Sequence, residues 1–234
     1  MSIADRLTAV RARIHGAAAA AGRDPSSVKL IAVSKFFPLS AVLEAHAAGQ
    51  LEFGENRVQE ALEKVQALQT SGTSADAVLR WHLLGHLQAN KARKASGAFA
   101  MIQSVDTVEL LRKLDACAEQ AERSPELLLQ VDLAGEVTKH GSSIGQMPRL
   151  FEAAATCRAA RVVGLMTLPP VPDAPEDARP WFRRLVELRE SWRDAGVPAS
   201  MLRELSMGMS GDFEVAIAEG STMVRIGTAI FGSR

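Results

Sequence analysis

The feature that most restricts the fold of this chain is a regular alternation of short apolar runs with longer segments of helical period. The apolar runs, which are typical of buried parallel strands, lie near residues 28–34, 51–54, 80–84, 99–104, 127–133, 161–167, 202–206 and 222–227. The helical segments between them lie near residues 38–49, 56–69, 87–95, 107–123, 143–158, 176–195 and 211–219. Eight strands separated by seven helices predict an α/β fold with one domain over residues 1–234, a single (β/α)₈ TIM barrel.

Local signals add detail to this plan. Apolar residues recur at helical spacing from Ile3 to Ile14, and Gly22 ends the pattern, so one helix precedes the first strand. Asp106 and Glu109 have the spacing of a capping box, and residues 71–74 (SGTS) predict a polar link before the third strand. The strands near 51–54 and 202–206 are the weakest, because they contain few large apolar residues.

Composition excludes several classes of function. Twenty-seven basic residues balance 27 acidic ones, so the chain has no global field to attract nucleic acid or an anionic membrane. No run approaches the roughly 18 apolar residues of a membrane helix, and the charged start MSIADRL is unlike a signal peptide, which predicts a cytoplasmic protein. Cys117 and Cys157 are too few for a disulfide framework and lack metal-ligand spacing, so no metal site is predicted.

The first apolar run, VKLIAVSK, ends in Lys35. Ligands bind at the carboxyl ends of parallel strands in α/β folds, so this lysine is expected at the mouth of a site. Partial burial would favour its neutral amine, which is a nucleophile towards an aldehyde. The alternative is a strand-end lysine that simply extends into solvent.

Two turns near the end of the sequence predict an anion site. The segment Ser206 to Gly211 follows the seventh predicted strand, and Gly227-Thr228 follows the eighth. In barrels these two loops commonly form a phosphate site, where amide groups and hydroxyls such as that of Ser210 hold the anion. The alternative is that the glycines serve tight turns only.

Several further residues in or near the predicted strands have more than one possible role. Arg225 needs acceptors, so it either pairs with a carboxylate such as Glu204 or faces a ligand. His82 is either a satisfied core residue or a catalyst, and Met166 packs against a flat ring or against core. Lys139 is a further candidate for the mouth of the site.

Together these residues resemble the pyridoxal phosphate homeostasis family, which is similar to the barrel domain of bacterial alanine racemases. The resemblance is carried by the segments LIAVSK, FGENRVQE, WHLLGHLQANK, IQSVD, VDLAGEVTKHG, VVGLMTL and LSMGMSGDFEVAIAEGSTMVRIGTAIFG. These segments are spread over nearly the whole chain. The family implies a stand-alone barrel that binds pyridoxal 5′-phosphate (PLP).

The resemblance also implies a role for each motif residue. Lys35 would form a Schiff base with the cofactor aldehyde. Ser210, Gly227 and Thr228 would hold the phosphate, and Arg225 would face the pyridine nitrogen, where a cation weakens the ring as an electron sink. Three residues on other strands would line the surroundings of the ring, namely Asn56, His82 and Met166.

Three positions depart from the commonest form of the family motifs. Arg57 stands where tyrosine is frequent, and His86 stands where proline or glycine is common. His140 replaces the serine of a usual Lys-Ser-Gly segment. These changes concern contacts at the rim rather than the cofactor.

The family implies a protein of vitamin B6 homeostasis that buffers PLP or delivers it to PLP-dependent apo-enzymes, with no catalytic residue of its own. Racemisation needs a second acid–base group opposite the lysine, which in the racemases is a tyrosine from a further domain. This sequence contains no tyrosine and ends seven residues after Gly227, so neither that domain nor the dimer it forms is expected, and a monomer is predicted.

Three alternatives remain open on the sequence alone. The first is a weak PLP-dependent racemase or lyase that uses His82 as its second base. The second is a Schiff-base aldolase without cofactor, whose phosphate site holds a sugar phosphate. The third is a partner-binding protein for which PLP is a regulatory ligand.

Overall fold

The computed structural model describes residues 1–71, 79–135 and 140–233. The strands are Lys29–Val33 (β1), Glu52–Glu55 (β2), Arg80–Leu83 (β3), Met101–Val105 (β4), Glu126–Asp132 (β5), Ser142–Ser143 (β6), Arg161–Met166 (β7), Glu204–Ser206 (β8) and Met223–Ile226 (β9). The α-helices are Ile3–Ala20 (α1), Leu39–Ala47 (α2), Val58–Ser71 (α3), Ala92–Ala98 (α4), Val108–Gln120 (α5), Met147–Ala154 (α6), Arg179–Asp194 (α7), Phe213–Ala218 (α8) and Thr228–Phe231 (α9). Short 3₁₀ turns lie at Pro25–Ser27, Ala89–Lys91, Ile144–Gln146, Pro175–Ala178 and Ala199–Met201.

Eight of these strands form a closed parallel barrel. Their order is β1, β2, β3, β4, β5, β7, β8 and β9, and β9 pairs back onto β1. The two-residue strand β6 pairs with the end of β5 outside this ring. The (β/α)₈ fold and the N-terminal helix predicted from the sequence are confirmed.

Apolar residues pack on both faces of the strands, which explains why the strands appear in the sequence as nearly continuous apolar runs. Within the barrel, residues of four strands form a separate apolar cluster, Met101, Leu128, Val163, Met166 and Met223. The larger core lies between the strands and the surrounding helices, where Phe53, Phe99 and Phe182 are fully or almost fully buried.

The helix α1 has 18 residues, begins with a capping box between Ser2 and Asp5, and buries a face that includes Leu7. An ion pair with an Nε–Oε1 distance of 2.8 Å between Arg13 and Glu214 joins it to α8. Among the helices in the described ranges, none is both long and apolar enough to cross a membrane.

Some local predictions were wrong in detail. The helices predicted near 87–95 and 143–158 are present but begin later, at Ala92 and Met147, because 3₁₀ turns occupy Ala89–Lys91 and Ile144–Gln146. The predicted capping box of Asp106 and Glu109 is replaced by Thr107, whose hydroxyl accepts a hydrogen bond from the Leu110 amide at 3.2 Å. The two weak strands are present as the short strands β2 and β8. Of the polar link predicted at residues 71–74, Ser71 is the last residue of α3, and residues 72–74 lie outside the described residues.

Candidate functional site

A cavity of about 520 Å³ opens at the carboxyl ends of the barrel strands. Six of the eight predicted site residues line it, namely Lys35, Asn56, Ser210, Arg225, Gly227 and Thr228. They come from the ends of four strands, which the closed barrel brings to one mouth. The volume is in the range of small-molecule and cofactor sites.

The residues on both sides of Lys35 are hydrogen-bonded to carboxylates. The hydroxyl of Ser34 donates a hydrogen bond of 2.6 Å to Glu55, and the amide of Phe36 donates to Glu60. Phe36 has a φ of +67°, the left-handed region that costs a residue other than glycine on the order of 1 kcal/mol. Lys35 itself is half-buried and lines the cavity.

A buried ion pair supports this segment. The ammonium of Lys64 lies 2.6 Å from Glu55, 3.2 Å from Glu60 and 2.9 Å from the carbonyl oxygen of Ser34. Burial raises the pKa of Glu55, although the hydrogen bonds and charge of Lys64 oppose the shift. The second oxygen of Glu55 is buried without a hydrogen-bond partner among the described residues, so the carboxylate depends on Lys64.

Arg225 is buried and held by two acceptors on neighbouring strands. It donates to the Ser206 hydroxyl at 2.7 Å and to the Thr167 carbonyl oxygen at 2.9 Å. The predicted alternative of a pair with Glu204 is not formed, because Glu204 accepts from the lysine of β1 instead. Burial lowers the pKa of Arg225 to about 10, against the charge of Asp212, so the guanidinium stays protonated at neutral pH.

From Arg225 a chain of hydrogen bonds runs through the interior of the barrel. Ser206 donates to the amide oxygen of Gln103 at 2.6 Å, the amide nitrogen of Gln103 lies 3.1 Å from His82 Nδ1, and His82 Nε2 lies 2.5 Å from Glu52. Because the oxygen of Gln103 accepts from Ser206, its nitrogen donates to Nδ1. His82 then carries its proton on Nε2 and donates to Glu52. In every hydrogen bond of the chain, the donor is therefore on the Arg225 side and the acceptor on the Glu52 side.

The far end of this chain is a carboxylate. Burial opposes the ionisation of Glu52, but the hydrogen bond from His82 and the charges of Arg80 and Lys29 hold its pKa below the usual value. Arg80 lies 3.1 Å from it. The barrel interior therefore holds a polarised chain between a guanidinium and a carboxylate.

The two other predicted site residues lie in the barrel interior and are not among the cavity-lining residues. His82 is 1% exposed and uses both ring nitrogens in the polar chain. Met166 is fully buried in the apolar cluster inside the barrel. Lys139 lies outside the described residues.

The predicted anion side of the cavity is built from hydroxyls and glycines. Ser210 is half-buried and Thr228 is exposed. In the part of the chain that the structure describes, the Lys35 amine and these two hydroxyls have no hydrogen-bond partner. Gly208, just before Ser210, has a φ of +96°, and a Cβ there would lie 2.6 Å from the Ala216 side chain, so the turn requires glycine.

Sequence reasoning missed the part that two glutamines play in the site. Gln130 lines the cavity wall, together with His86 and His140 of the predicted rim, and Gln103 and Ser206 orient Arg225 from inside the barrel. The glutamines could have been found, because each is a polar residue within a strand of mostly apolar residues. No spacing in the sequence links His86 to His140, because the fold alone brings them together.

The fold and the site together define a class of protein, the barrel of the alanine racemase N-terminal type. A family model described as "Alanine racemase, N-terminal domain" matches residues 6–234. The pyridoxal phosphate homeostasis proteins of Aquifex aeolicus and Pseudomonas aeruginosa are 42% and 43% identical to this chain over 100% of its length, and the matches cover 99% and 96% of those proteins. The chain belongs to the pyridoxal phosphate homeostasis protein family.

A solved structure supports the same assignment. PipY of Synechococcus elongatus, determined with PLP bound, matches with a TM-score of 0.82 and 40% sequence identity. The match covers 99% of this chain and 100% of PipY. The similarity therefore extends over the complete barrel and includes the elements that form the cavity.

Proposed function

We propose that this protein binds PLP in the cavity and buffers or delivers it in vitamin B6 homeostasis. The observation that carries the proposal is that the Lys35 amine, the Ser210 and Thr228 hydroxyls and the Arg225 guanidinium all line one cavity of about 520 Å³. The names of the relatives and the PLP bound to PipY support it.

The donor set fits the parts of PLP. The amine of Lys35 condenses with the aldehyde to a Schiff base, which releases one water molecule. The hydroxyls of Ser210 and Thr228, with the backbone at Gly227, hold the phosphate. Arg225 faces the pyridine nitrogen and, as a cation, disfavours protonation there, so the bound ring supplies only a weak electron sink.

The remaining predicted site residues have supporting roles in this proposal. Asn56 lines the cavity, and a contact with the ring is its proposed role. His82 positions Arg225 through the polar chain, and Met166 fills the interior of the barrel. Direct ring contacts of these last two residues stay predictions, as does a cytoplasmic location.

We further infer that PLP is held without catalytic turnover. Both nitrogens of His82 are engaged by Glu52 and Gln103, which leaves neither available as a second acid–base group. The sequence contains no tyrosine to take that role. A carrier that transfers PLP to apo-enzymes is the function most consistent with these features.

The first test is the visible spectrum of the protein with added PLP, followed by borohydride reduction and peptide mass mapping. We expect a Schiff-base band and a reduced adduct on Lys35, both lost in Lys35→Ala. The matched control is Lys91→Ala, which removes an exposed lysine in the turn before α4 and should keep the band. An adduct scattered over surface lysines that persists in Lys35→Ala would contradict the proposal.

A second test separates a carrier from an enzyme. The loaded protein is mixed with a PLP-dependent apo-enzyme, and the activity that appears is compared with that produced by the same concentration of free PLP. We also expect no exchange of the α-hydrogen of alanine or threonine with deuterated water. Steady exchange that requires Lys35 would favour the racemase alternative over the carrier.

A further inference from the structure

Three potential metal ligands meet at the mouth of the cavity. His86 follows β3, Asp106 follows β4, and His140 precedes β6, so three different loops supply them. One ligand atom from each residue lies within 4.8 Å of the other two. Both histidines also line the cavity.

The carboxylate of Asp106 lacks a strong partner. Its side chain is 9% exposed, and within the described ranges its nearest basic side chain is His86, whose Nδ1 lies 3.6 Å from the carboxylate, too far for a hydrogen bond. Within the described ranges this nearly buried carboxylate accepts no hydrogen bond, which is costly, and a bound cation would remove that cost. Asp106 therefore offers a carboxylate that is able to accept a cation.

The two imidazoles are already adjacent. Their ring centroids are 3.6 Å apart and their planes differ by 9°. The carbonyl oxygen of His140 accepts a hydrogen bond of 2.6 Å from Gln130, which anchors its backbone. Neutral imidazole and carboxylate are ligands that Zn²⁺ and related ions prefer.

We propose that His86, His140 and Asp106 bind a divalent first-row transition ion such as Zn²⁺. Two ligand atoms on a tetrahedral zinc ion lie about 3.3 Å apart, so the longest separation in the cluster must shrink by about 1.5 Å. One imidazole must also turn about its side-chain bonds, because lone pairs of parallel rings do not converge. Both histidines are exposed enough to turn.

Three protein ligands leave one position of a tetrahedral ion open. Because both histidines line the cavity, that position faces the space where PLP is proposed to bind. The ion would therefore offer an anion or a water molecule a binding position at the cavity mouth. The metal site itself depends only on this chain's residues and not on PLP.

The test is binding of Co²⁺ and Zn²⁺ to the protein free of PLP, because PLP itself binds metal ions. Co²⁺ is followed by its visible absorption and Zn²⁺ by equilibrium dialysis. We expect one ion per chain, and at least a tenfold loss of affinity in His86→Ala, His140→Ala and Asp106→Asn. The matched control His15→Ala removes an exposed histidine of α1 and should bind as the original protein does.

Thermal unfolding of each variant without metal shows whether it is folded. Equal stoichiometry and affinity in the double variant His86→Ala/His140→Ala would overturn the proposal, and so would the absence of any uptake by the original protein. Either result leaves the PLP proposal untouched, because the Lys35 adduct is measured separately.

Discussion

Arg225 is oriented by Gln103, a residue that it does not touch. The substitution Gln103→Leu keeps a similar volume but removes the acceptor of the Ser206 hydroxyl, which still accepts from Arg225, and the donor to His82 Nδ1, all in a buried interior. We expect the free energy of unfolding to fall by about 1–3 kcal/mol and PLP binding to weaken. Urea unfolding and PLP titration measure the two effects.

The control for this change is Gln66→Leu on the exposed face of α3. A surface substitution of this kind should alter the free energy of unfolding by no more than about 0.5 kcal/mol. If Gln103→Leu were as mild as the control, the polar chain would not be contributing to stability.

Lys64 neutralises a buried carboxylate beside the cavity lysine. In Lys64→Met the charge of Glu55 would be left without a cation in the interior, and we expect the free energy of unfolding to fall by about 3–5 kcal/mol. Urea unfolding at neutral pH is the measurement.

Two further variants are compared with Lys64→Met in the same measurement. Lys113→Met removes an exposed lysine of α5 and should have little effect. The double variant Glu55→Leu/Lys64→Met removes both charges and should recover much of the lost stability. A double variant no more stable than Lys64→Met would show that the ion pair is not the cause.

At the scale of elements, β7 and β8 approach so closely that one position between them requires glycine. A Cβ on Gly164 would lie 2.0 Å from the carbonyl oxygen of Glu204, its partner in the strand register. Gly164→Ala must push the strands apart, and we expect a loss of at least about 1–3 kcal/mol in the free energy of unfolding.

Gly97→Ala is the matched substitution in a helix. A Cβ there meets no atom within 4 Å, and the residue lies in α4. Because alanine favours helix more than glycine does, this variant should gain up to about 1 kcal/mol. A lower melting temperature for Gly164→Ala and a higher one for Gly97→Ala would support the close approach of β7 and β8. Equal decreases in melting temperature for the two variants would contradict it.

Asp115 joins α5 to the segment before β7. Its carboxylate accepts hydrogen bonds from the amides of Arg158, Ala159 and Ala160 at 3.0, 2.8 and 2.9 Å. Burial opposes ionisation, but these hydrogen bonds hold the pKa of Asp115 below its usual value. A lowered pKa in the folded state gives stability that is present above the ordinary pKa, about 3.9, and is lost as the pH falls through the folded value.

Asp115→Asn should therefore be less stable than the original protein at pH 7, by roughly 1–3 kcal/mol, and the difference should narrow in acid. Melting temperatures measured between pH 7 and pH 3 test this expectation. Two curves that stay parallel over that range would show that Asp115 does not contribute through its charge.

The barrel was predictable because its strands are buried on both faces, which makes each one a nearly continuous apolar run. Its closure brings the strand ends together, so Lys35 and Thr228 could be assigned to one mouth before the structure was known. The contacts of Gln103 with Ser206 and of His86 with His140 could not be predicted. The two residues of each pair are distant in the sequence, and spacing carries no signal over such separations. The cap of α5 was misplaced by one residue, since Asp106 and Thr107 are both good capping residues.

At the scale of the whole molecule, we expect a monomer. Within the ranges that the structure describes, the large exposed apolar residues are few and separate in the sequence, Met1, Phe36, Leu51 and Val171. Stable dimers usually bury a contiguous apolar patch. We expect sedimentation equilibrium to give the mass of one chain, 25.1 kDa, at all concentrations tested, whereas a mass that rises towards twice this value would show self-association.

The one-directional hydrogen-bond chain also connects the two ends of the barrel. Arg225 lines the cavity at one end, and Glu52 lines a groove with Arg11 and His15 at the other. We expect a ligand that accepts a hydrogen bond from the guanidinium to change the polarity of the bonds as far as Glu52, which would link cavity occupancy to the proton affinity of Glu52. Because such coupling is reciprocal, a charge that binds near Glu52 alters the affinity of the cavity by the same factor.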